Sequence, residues 1–164
     1  MTDEPEPRWL NADEKEAWTG LVSLMLLLPG RLETPLQKVG DLTLFEYMVL
    51  SQMSDAPERR LRMSELAYLA SGSLSRLSNV VKRFERKGWV RRYPDPTDGR
   101  YTIAALTDEG YAVVVRAAPV HVESVREYVF DKLNATDRRA LARIAEKLRV
   151  RPADVGAPGP PTES

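Results

Sequence analysis

The sequence contains no cysteine and only one histidine, His121, among its 164 residues. The absence of cysteine excludes disulfides, thiolate metal sites, iron–sulfur clusters and a cysteine nucleophile. A single histidine argues against a histidine-rich metal centre and against a conventional catalytic triad. The sequence also lacks a P-loop and a glycine-rich dinucleotide-binding turn. These absences predict a protein that is not an enzyme and that uses no metal or cofactor.

Long apolar stretches are missing as well. The longest strongly apolar stretch, 21–28, contains Ser23 and is far shorter than the roughly 20 residues that a membrane-spanning helix needs. The N-terminus is acidic, unlike the basic start of a secretion signal. We therefore expect a protein of the cytoplasm.

The length is typical of one domain with a short tail at each end. Residues 1–9 and 151–164 are rich in proline and hold too few apolar side chains to offset the cost of ordering. We expect both tails to be disordered, and we place the domain between them, over residues 10–150.

The formal net charge is zero, but the charges are unevenly distributed. Eleven basic and four acidic residues lie between Arg59 and Arg100, whereas the rest of the chain holds thirteen basic and twenty acidic residues. A basic segment within an acidic framework is typical of a protein that faces a polyanion. A solvated charged surface explains the same pattern, and charge alone does not separate the two interpretations.

The apolar spacing predicts a mainly helical chain. Asn11 with Glu14 fits the start of a first helix, and the segment 43–46 is a capping box that starts a second. Pro29-Gly30 predicts a kink or break in the first helix. The remaining predicted elements are a short strand at 60–63, a helix over 65–70 capped by Ser64, a helix over 74–87 ended by Gly88, a hairpin of 89–93 and 101–106, a long helix after Thr107 and a last helix capped by Thr136.

The long helix after Thr107 carries a second pattern. Its apolar residues are separated by alternating steps of four and three, which is close to the heptad seam of a helix that packs against a partner. These residues are Tyr111, Val115, Ala118, Val122, Val125 and Val129.

Residues 64–88 match a helix-turn-helix, with Gly72 in the turn. On a helical wheel the second helix separates into two sides. The predicted core side is Leu74, Leu77, Val80, Val81 and Phe84. The opposite side is Ser75, Ser78, Asn79, Lys82 and Arg86, with Arg76 and Arg83 on the flank.

That outward side offers hydroxyls, an amide and long cations, and it has no acidic residue in its first two turns. These groups suit base edges and phosphates. The hairpin that follows adds Arg91, Arg92 and Arg100, and it corresponds to the wing of a winged helix. Asp98 lies two residues before Arg100, close enough to hold its guanidinium by a charge-assisted hydrogen bond.

Three segments carry a resemblance to a known family: 95–107 (DPTDGRYTIAALT), 75–90 (SRLSNVVKRFERKGWV) and 42–47 (LTLFEY). Over roughly residues 10–150 the chain resembles the MarR family of bacterial transcriptional regulators, and the wing motif is the most specific part of the likeness. The resemblance implies a mainly α fold with a winged helix-turn-helix at 43–106 and dimerisation helices at 11–36 and 107–149.

The resemblance further implies a homodimer that places two recognition helices in successive major grooves of a pseudo-palindromic operator. A two-fold dimer matches half-sites about one helical turn apart. The function implied is that of a repressor released by a small ligand. The predicted DNA-binding residues are Ser73, Ser75, Arg76, Ser78, Asn79, Lys82, Arg83, Arg91, Asp98 and Arg100.

Many members of the family bind aromatic or phenolic anions between the dimer helices and the DNA-binding lobe. Trp18, Phe45 and Tyr47 are the candidates for such a cleft here, although aromatic residues at helical spacing also fit a core. His121 is interpreted as a helix-surface or interface residue. The lack of cysteine and the single histidine separate the chain from peroxide-sensing and zinc-sensing members. A winged helix that binds an acidic protein partner, with little specific DNA binding, is the alternative function.

Overall fold

A computed structural model describes residues 6–148 of the chain. The predicted C-terminal tail, residues 149–150 of the predicted domain and residues 1–5 of the predicted N-terminal tail lie outside these residues. The helices are α1 (Ala12–Gly40), α2 (Leu44–Asp55), α3 (Met63–Leu69), α4 (Leu74–Arg86), α5 (Asp108–Tyr128) and α6 (Ala135–Lys147). The strands are β1 (Arg60–Arg62), β2 (Val90–Pro94) and β3 (Thr102–Leu106).

The first helix begins where the sequence predicts but does not break where expected. Asn11 caps α1 in a capping box with Glu14, as predicted. The helix then continues through Pro29 and also through Pro35, so the predicted break at Pro29-Gly30 is wrong. A proline inside a helix removes one hydrogen bond and crowds the preceding turn. Packing of α1 on α5 and burial of its Leu36 favour a continuous helix despite that cost.

Two of the predicted helix caps are not the residues that cap the helices in the structure. The cap of α6 is Asn134 rather than Thr136, because the Asn134 side chain accepts hydrogen bonds from two backbone N–H groups and Asp137 completes a capping box. Helix α3 starts at Met63, directly after β1, so Ser64 lies inside its first turn and does not cap it. The Ser64 hydroxyl is buried and has no hydrogen-bond partner among residues 6–148.

The three strands form one antiparallel sheet in the order β1-β3-β2. Ala104 in the middle of β3 pairs with Leu61 on one side and with Arg92 on the other. Strands β2 and β3 with their connecting loop make the predicted hairpin, which we call the wing (residues 90–106). Together with α3 and α4 it completes a winged helix-turn-helix, so the predicted fold class is confirmed.

The core lies where α2, α3 and α4 pack together and against the sheet. Its fully buried side chains include Leu50, Met53, Leu66, Leu77 and Phe84. Burial of apolar area of this kind contributes most of the favourable free energy of folding. Because the apolar side of each of these helices is buried in the core, its opposite side faces outward.

The transition from the wing to α5 is tightly packed. Thr107 caps α5, and its hydroxyl donates to the Gly88 carbonyl at 2.7 Å. Gly88 has a φ of +73°, the left-handed conformation that ends α4 as predicted. Gly110 lies against the carbonyl of Trp89 so closely that a Cβ at this position has no room. This approach fixes the start of α5 against the end of α4.

Helix α5 has two apolar faces with different surroundings. Val113, Val114 and Ala117 are buried within the chain, whereas Val115 and Val122 of the predicted seam are about half exposed. The chain therefore covers one apolar face of α5 and leaves much of the other uncovered. No helix among residues 6–148 combines the length and the apolar character that crossing a membrane requires.

Candidate nucleic-acid interface

Helix α4 presents a polar face because its apolar face is used by the core. Leu77, Val81 and Phe84, spaced by four and three residues, are fully buried. Leu74 was predicted to join them, but it is 43% exposed because it occupies the first turn, at the edge of the core. The opposite face carries Ser75, Arg76, Asn79, Lys82 and Arg86, which are exposed, and Ser78, which is half-buried.

The start of α4 is held by its own side chains and by α2. The Ser73 hydroxyl accepts a hydrogen bond from the Arg76 backbone N–H at 3.2 Å and lies 3.1 Å from the Ser75 hydroxyl. The Arg76 guanidinium lies over the Phe45 ring, 4.0 Å from its centroid. A Cβ on Gly72 would approach that ring to 2.6 Å, so only glycine allows the turn to pack here. The first turn of α4 therefore packs against α2.

The tip of the wing contains the predicted ion pair. Arg100 donates to Asp98 from Nε at 3.0 Å and from Nη2 at 2.6 Å, and its backbone N–H donates to the same carboxylate at 3.1 Å. These bonds from Arg100 lower the pKa of Asp98. The Arg100 side chain is 84% exposed, so it is oriented by Asp98 but still open to a ligand.

The start of the wing loop is held by a network that the sequence interpretation missed. Asp95 is buried and accepts from Arg62 Nε at 2.7 Å and from the Thr97 backbone N–H and hydroxyl at 2.8 and 2.7 Å. The bonds from Thr97 first, and then the bond from Arg62, lower the pKa of Asp95 to about 2. The Arg62 guanidinium also lies 4.5 Å from the Tyr101 ring centroid. An Asp two residues before Thr97 signals a local turn, but the contact with Arg62 spans 33 residues and has no local signal.

Two other basic residues are engaged within the protein. Arg92 donates to Glu85 at 2.6 Å. Arg83 bonds to Asp41 and to the buried carboxylate of Glu46. Arg91, one residue before Arg92 on β2, is exposed. The predicted DNA-binding set is therefore divided into side chains open to a ligand and side chains committed to internal ion pairs.

The helix and the wing face one common recess. It has a volume of about 280 Å³ and lies between the first turns of α3 and α4 and the two strands of the wing. Ser78 lines it from α4, while Arg92 and Arg100 line it from the wing. Ser78 of α4 and Arg100 of the wing are thus brought to the same surface.

Comparison with known proteins identifies the family. The family model described as MarR family matches residues 42–102. The crystal structure of Sco3205, a MarR family transcriptional regulator from Streptomyces coelicolor in complex with DNA, has a TM-score of 0.84 and 42% identity, covering 88% of this chain and 91% of that one. The chain belongs to the MarR family.

Two curated relatives support the assignment. The transcriptional repressor Rv2887 of Mycobacterium tuberculosis is 35% identical over 107 residues, which cover 65% of this chain and 75% of the repressor. The regulator PecS of Dickeya dadantii is 39% identical over 75 residues, or 44% of this chain and 45% of PecS. This MarR protein is therefore a DNA-binding transcriptional regulator, and members of the family are not enzymes.

The three aromatic residues predicted to bind a ligand lie in different surroundings. Trp18 is 52% exposed on α1, and Phe45 packs against the turn before α4. Tyr47 is buried, and its ring centroid is 4.5 Å from that of His121 on α5. His121 is half-buried at this junction of α2 and α5, and its Nδ1 has no partner in the described part of the chain. Burial lowers the pKa of His121 and raises that of Tyr47.

The lowered pKa of Asp95 predicts a component of acid sensitivity. An unfolded Asp has a pKa of about 3.9, so the folded-state bonds of Asp95 stabilise the protein above about pH 4, and this contribution is lost as the pH falls towards 2. We expect Asp95→Asn to lower the melting temperature at pH 7 and to flatten its decline between pH 4 and pH 2. The measurement is thermal unfolding across this range, with Glu123→Gln on α5 as the control. Parallel curves for Asp95→Asn and the parent would contradict this role.

Proposed function

We propose that the protein acts as a homodimer that binds an inverted repeat of double-stranded DNA and represses transcription until a small ligand releases it. The observation that carries the proposal is the common recess, because Ser78 of α4 and Arg100 of the wing tip line it together. Since its proposed ligand is chromosomal DNA, we propose that it works in the cytoplasm. The repressor role is supported by the likeness to Rv2887, which is a transcriptional repressor.

The proposed contacts follow from the chemistry of the exposed groups. The Asn79 amide can pair bidentately with adenine in the major groove, and Lys82 can reach guanine or a phosphate. Arg100, held by Asp98, suits a narrow minor groove, where negative potential is concentrated. The proposed contact residues are Ser73, Ser75, Arg76, Ser78, Asn79, Lys82, Arg91, Asp98 and Arg100.

The proposed dimer is supported by uncovered apolar surface on the helices outside the winged lobe. Leu24 and Met25 on α1 and Val115 and Val122 on α5 are each more than half exposed. Helix α6 adds exposed Leu141 and Ile144, and Leu148, directly after its last residue, is exposed as well. Exposed apolar residues grouped in this way are characteristic of a protein–protein interface. A second copy of the chain, contributing the same helices, forms a self-complementary two-fold interface.

The proposed effector site is the junction of α2 and α5. Tyr47 supplies an aromatic ring there, and His121 supplies a nitrogen without a hydrogen-bond partner among residues 6–148. A buried polar atom that lacks a partner is costly, and a ligand that bonds to it removes that cost. Trp18 and Phe45 lie elsewhere, so of the three predicted aromatic residues we retain Tyr47 for this site.

Two substitutions distinguish backbone contact from base contact. A duplex selected by the full-length protein from a random-sequence library is the probe. We expect Arg100→Ala to weaken binding to all duplexes by about tenfold and to reduce the slope of log affinity against log salt by about 2 per dimer. Asn79→Ala should reduce the binding free energy by about 1–3 kcal/mol per half-site on the selected duplex and by much less on a scrambled one. Fluorescence anisotropy between 50 and 200 mM salt measures both effects.

Arg126→Ala is the control for these variants, since Arg126 is an exposed arginine on α5, outside the proposed contact surface. Equal losses on selected and scrambled DNA for both variants would remove the base-reading role proposed for α4. Failure of the parent protein to select any duplex would remove the proposed function as a whole.

The dimer is tested by placing a charge on the uncovered face of α5. Because a buried carboxylate without a partner is strongly unfavourable, we expect Val122→Asp to raise the dimer dissociation constant by at least about 100-fold. Leu69→Asp is the control, since Leu69 is also exposed but lies on α3 in the winged lobe. Sedimentation velocity at micromolar concentration provides the measurement. A parent protein that sediments as a monomer would contradict the proposal.

The effector is tested on the selected duplex with benzoate and 4-hydroxybenzoate, and with acetate as an anion that lacks the ring. At equal ionic strength we expect an aromatic acid at millimolar concentration to lower DNA affinity at least about tenfold, by binding the released conformation better. His121→Leu should reduce this effect while leaving DNA binding intact. Equal effects of acetate and the aromatic acids would exclude a site for these ligands.

A further inference from the structure

Arg83 lies on α4 within the predicted DNA-binding set, yet its guanidinium is bound to the protein on two sides. Its Nη2 donates to the Asp41 carbonyl at 2.8 Å and to the Asp41 carboxylate at 2.9 Å. Its Nη1 lies 2.8 Å from Glu46 Oε1. One arginine of the recognition helix thus joins the residue that follows α1 to the first turn of α2.

The segment that Arg83 binds is the α1–α2 corner (residues 41–46), and it is itself rigidly bonded. Asp41 ends α1 in the left-handed conformation, with a φ of +51°. The second carboxylate oxygen of Glu46 accepts from the Thr43 backbone N–H at 2.9 Å, which closes the capping box of α2. Glu33 of α1 accepts from the Leu44 backbone N–H at 2.7 Å. Arg83 therefore attaches α4 to a fixed point between α1 and α2.

Burial makes this attachment difficult to exchange for a phosphate contact. Glu46 is only 3% exposed, and Arg83 is the basic partner of its carboxylate. If Arg83 turned to the DNA backbone, a buried carboxylate would lose its counter-charge, which is strongly unfavourable. Lys82 and Arg86 on the same helix are exposed and have no ion pair among the described residues, so they are better placed for phosphates.

Arg83 is far enough from the first turn of α4, which is proposed to read the bases, that a small change in helix angle at Arg83 displaces that turn. Eight residues separate it from Ser75, or about 12 Å at 1.5 Å per residue. A rotation of α4 by about 5° around this attachment moves its first turn by about 1 Å, which is enough to disturb hydrogen bonds to bases.

We propose that Arg83 is a positioning residue, which fixes the angle between the recognition helix and α1 and thereby sets the half-site spacing that the dimer accepts. This inference rests on the proposed function, because spacing has meaning only for a dimer on an inverted repeat. It reassigns Arg83 from contact with DNA to control of geometry. The residues that read the DNA and the residue that sets their separation are then different members of one helix.

The test compares the selected inverted repeat with two relatives in which one base pair between the half-sites is added or removed. Arg83→Lys keeps the charge but loses the planar fork that binds Asp41 and Glu46 together. The double variant Glu46→Gln with Arg83→Gln removes the pair without leaving a lone buried carboxylate. Arg86→Gln is the matched control, a loss of one cation from an exposed position on the same helix. All four proteins are compared by melting temperature, sedimentation and anisotropy.

If Arg83 sets the spacing, both Arg83 variants remain dimeric and keep the salt dependence of the parent. The spacing penalty is the factor by which affinity falls when one base pair is added or removed between the half-sites. In both Arg83 variants we expect this factor to be at least about fivefold smaller than in the parent, because half-site separation is a geometric property of the dimer. Arg86→Gln leaves the spacing penalty unchanged.

Two results would overturn the inference. In the first, the slope of log affinity against log salt falls by about 2 per dimer in the double variant, while the spacing preference is kept. This result would identify Arg83 as a phosphate contact. The other is an unchanged spacing penalty in both variants. A parent protein that binds no inverted repeat, or binds all spacings equally, would instead refute the proposed function, so the two failures are distinguishable.

Discussion

The burial of one side of α4 is the constraint on which the rest of the interface depends. Leu77, Val81 and Phe84 have no exposed surface, so α4 has no rotational freedom about its own axis without opening the core. Its opposite side, with Ser75 and Asn79, must therefore point outward. The hydrophobic effect thus decides which polar groups of α4 face outward.

Ion pairs then hold the wing and α4, whose outward faces the core has already determined. Asp95 anchors the start of the wing loop through Arg62, Asp98 holds Arg100 at the tip of the wing, and Glu46 holds Arg83 in the last turn of α4. Arg62 and Arg83 are thereby bonded within the protein, whereas Arg100 is oriented but remains exposed. The basic excess of residues 59–100 therefore overstates the charge that is open to a ligand. Among the described residues of 59–100, the exposed cations without an ion pair are Arg76, Lys82, Arg86 and Arg91.

The features predicted correctly from sequence are those with local causes. The capping boxes at Asn11 and Thr43 were found because both partners lie within one turn of helix. The wrong predictions arose where neighbouring structure competes with a local signal. Pro29 does not end α1, because the helix is supported by α5. Thr136 does not cap α6, because Asn134 two residues earlier makes the stronger cap.

The sequence by itself determined the element order, the polar face of α4, the pair between Asp98 and Arg100 and the likeness to the MarR family. These depend on periodicity and on contacts a few residues apart, which a linear chain displays directly. Only the tertiary structure decided that Arg62 and Arg83 bond to carboxylates within the protein, and that Tyr47 meets His121 across two helices. Their partners lie more than thirty residues away, and such contacts exist only after the core has brought the segments together.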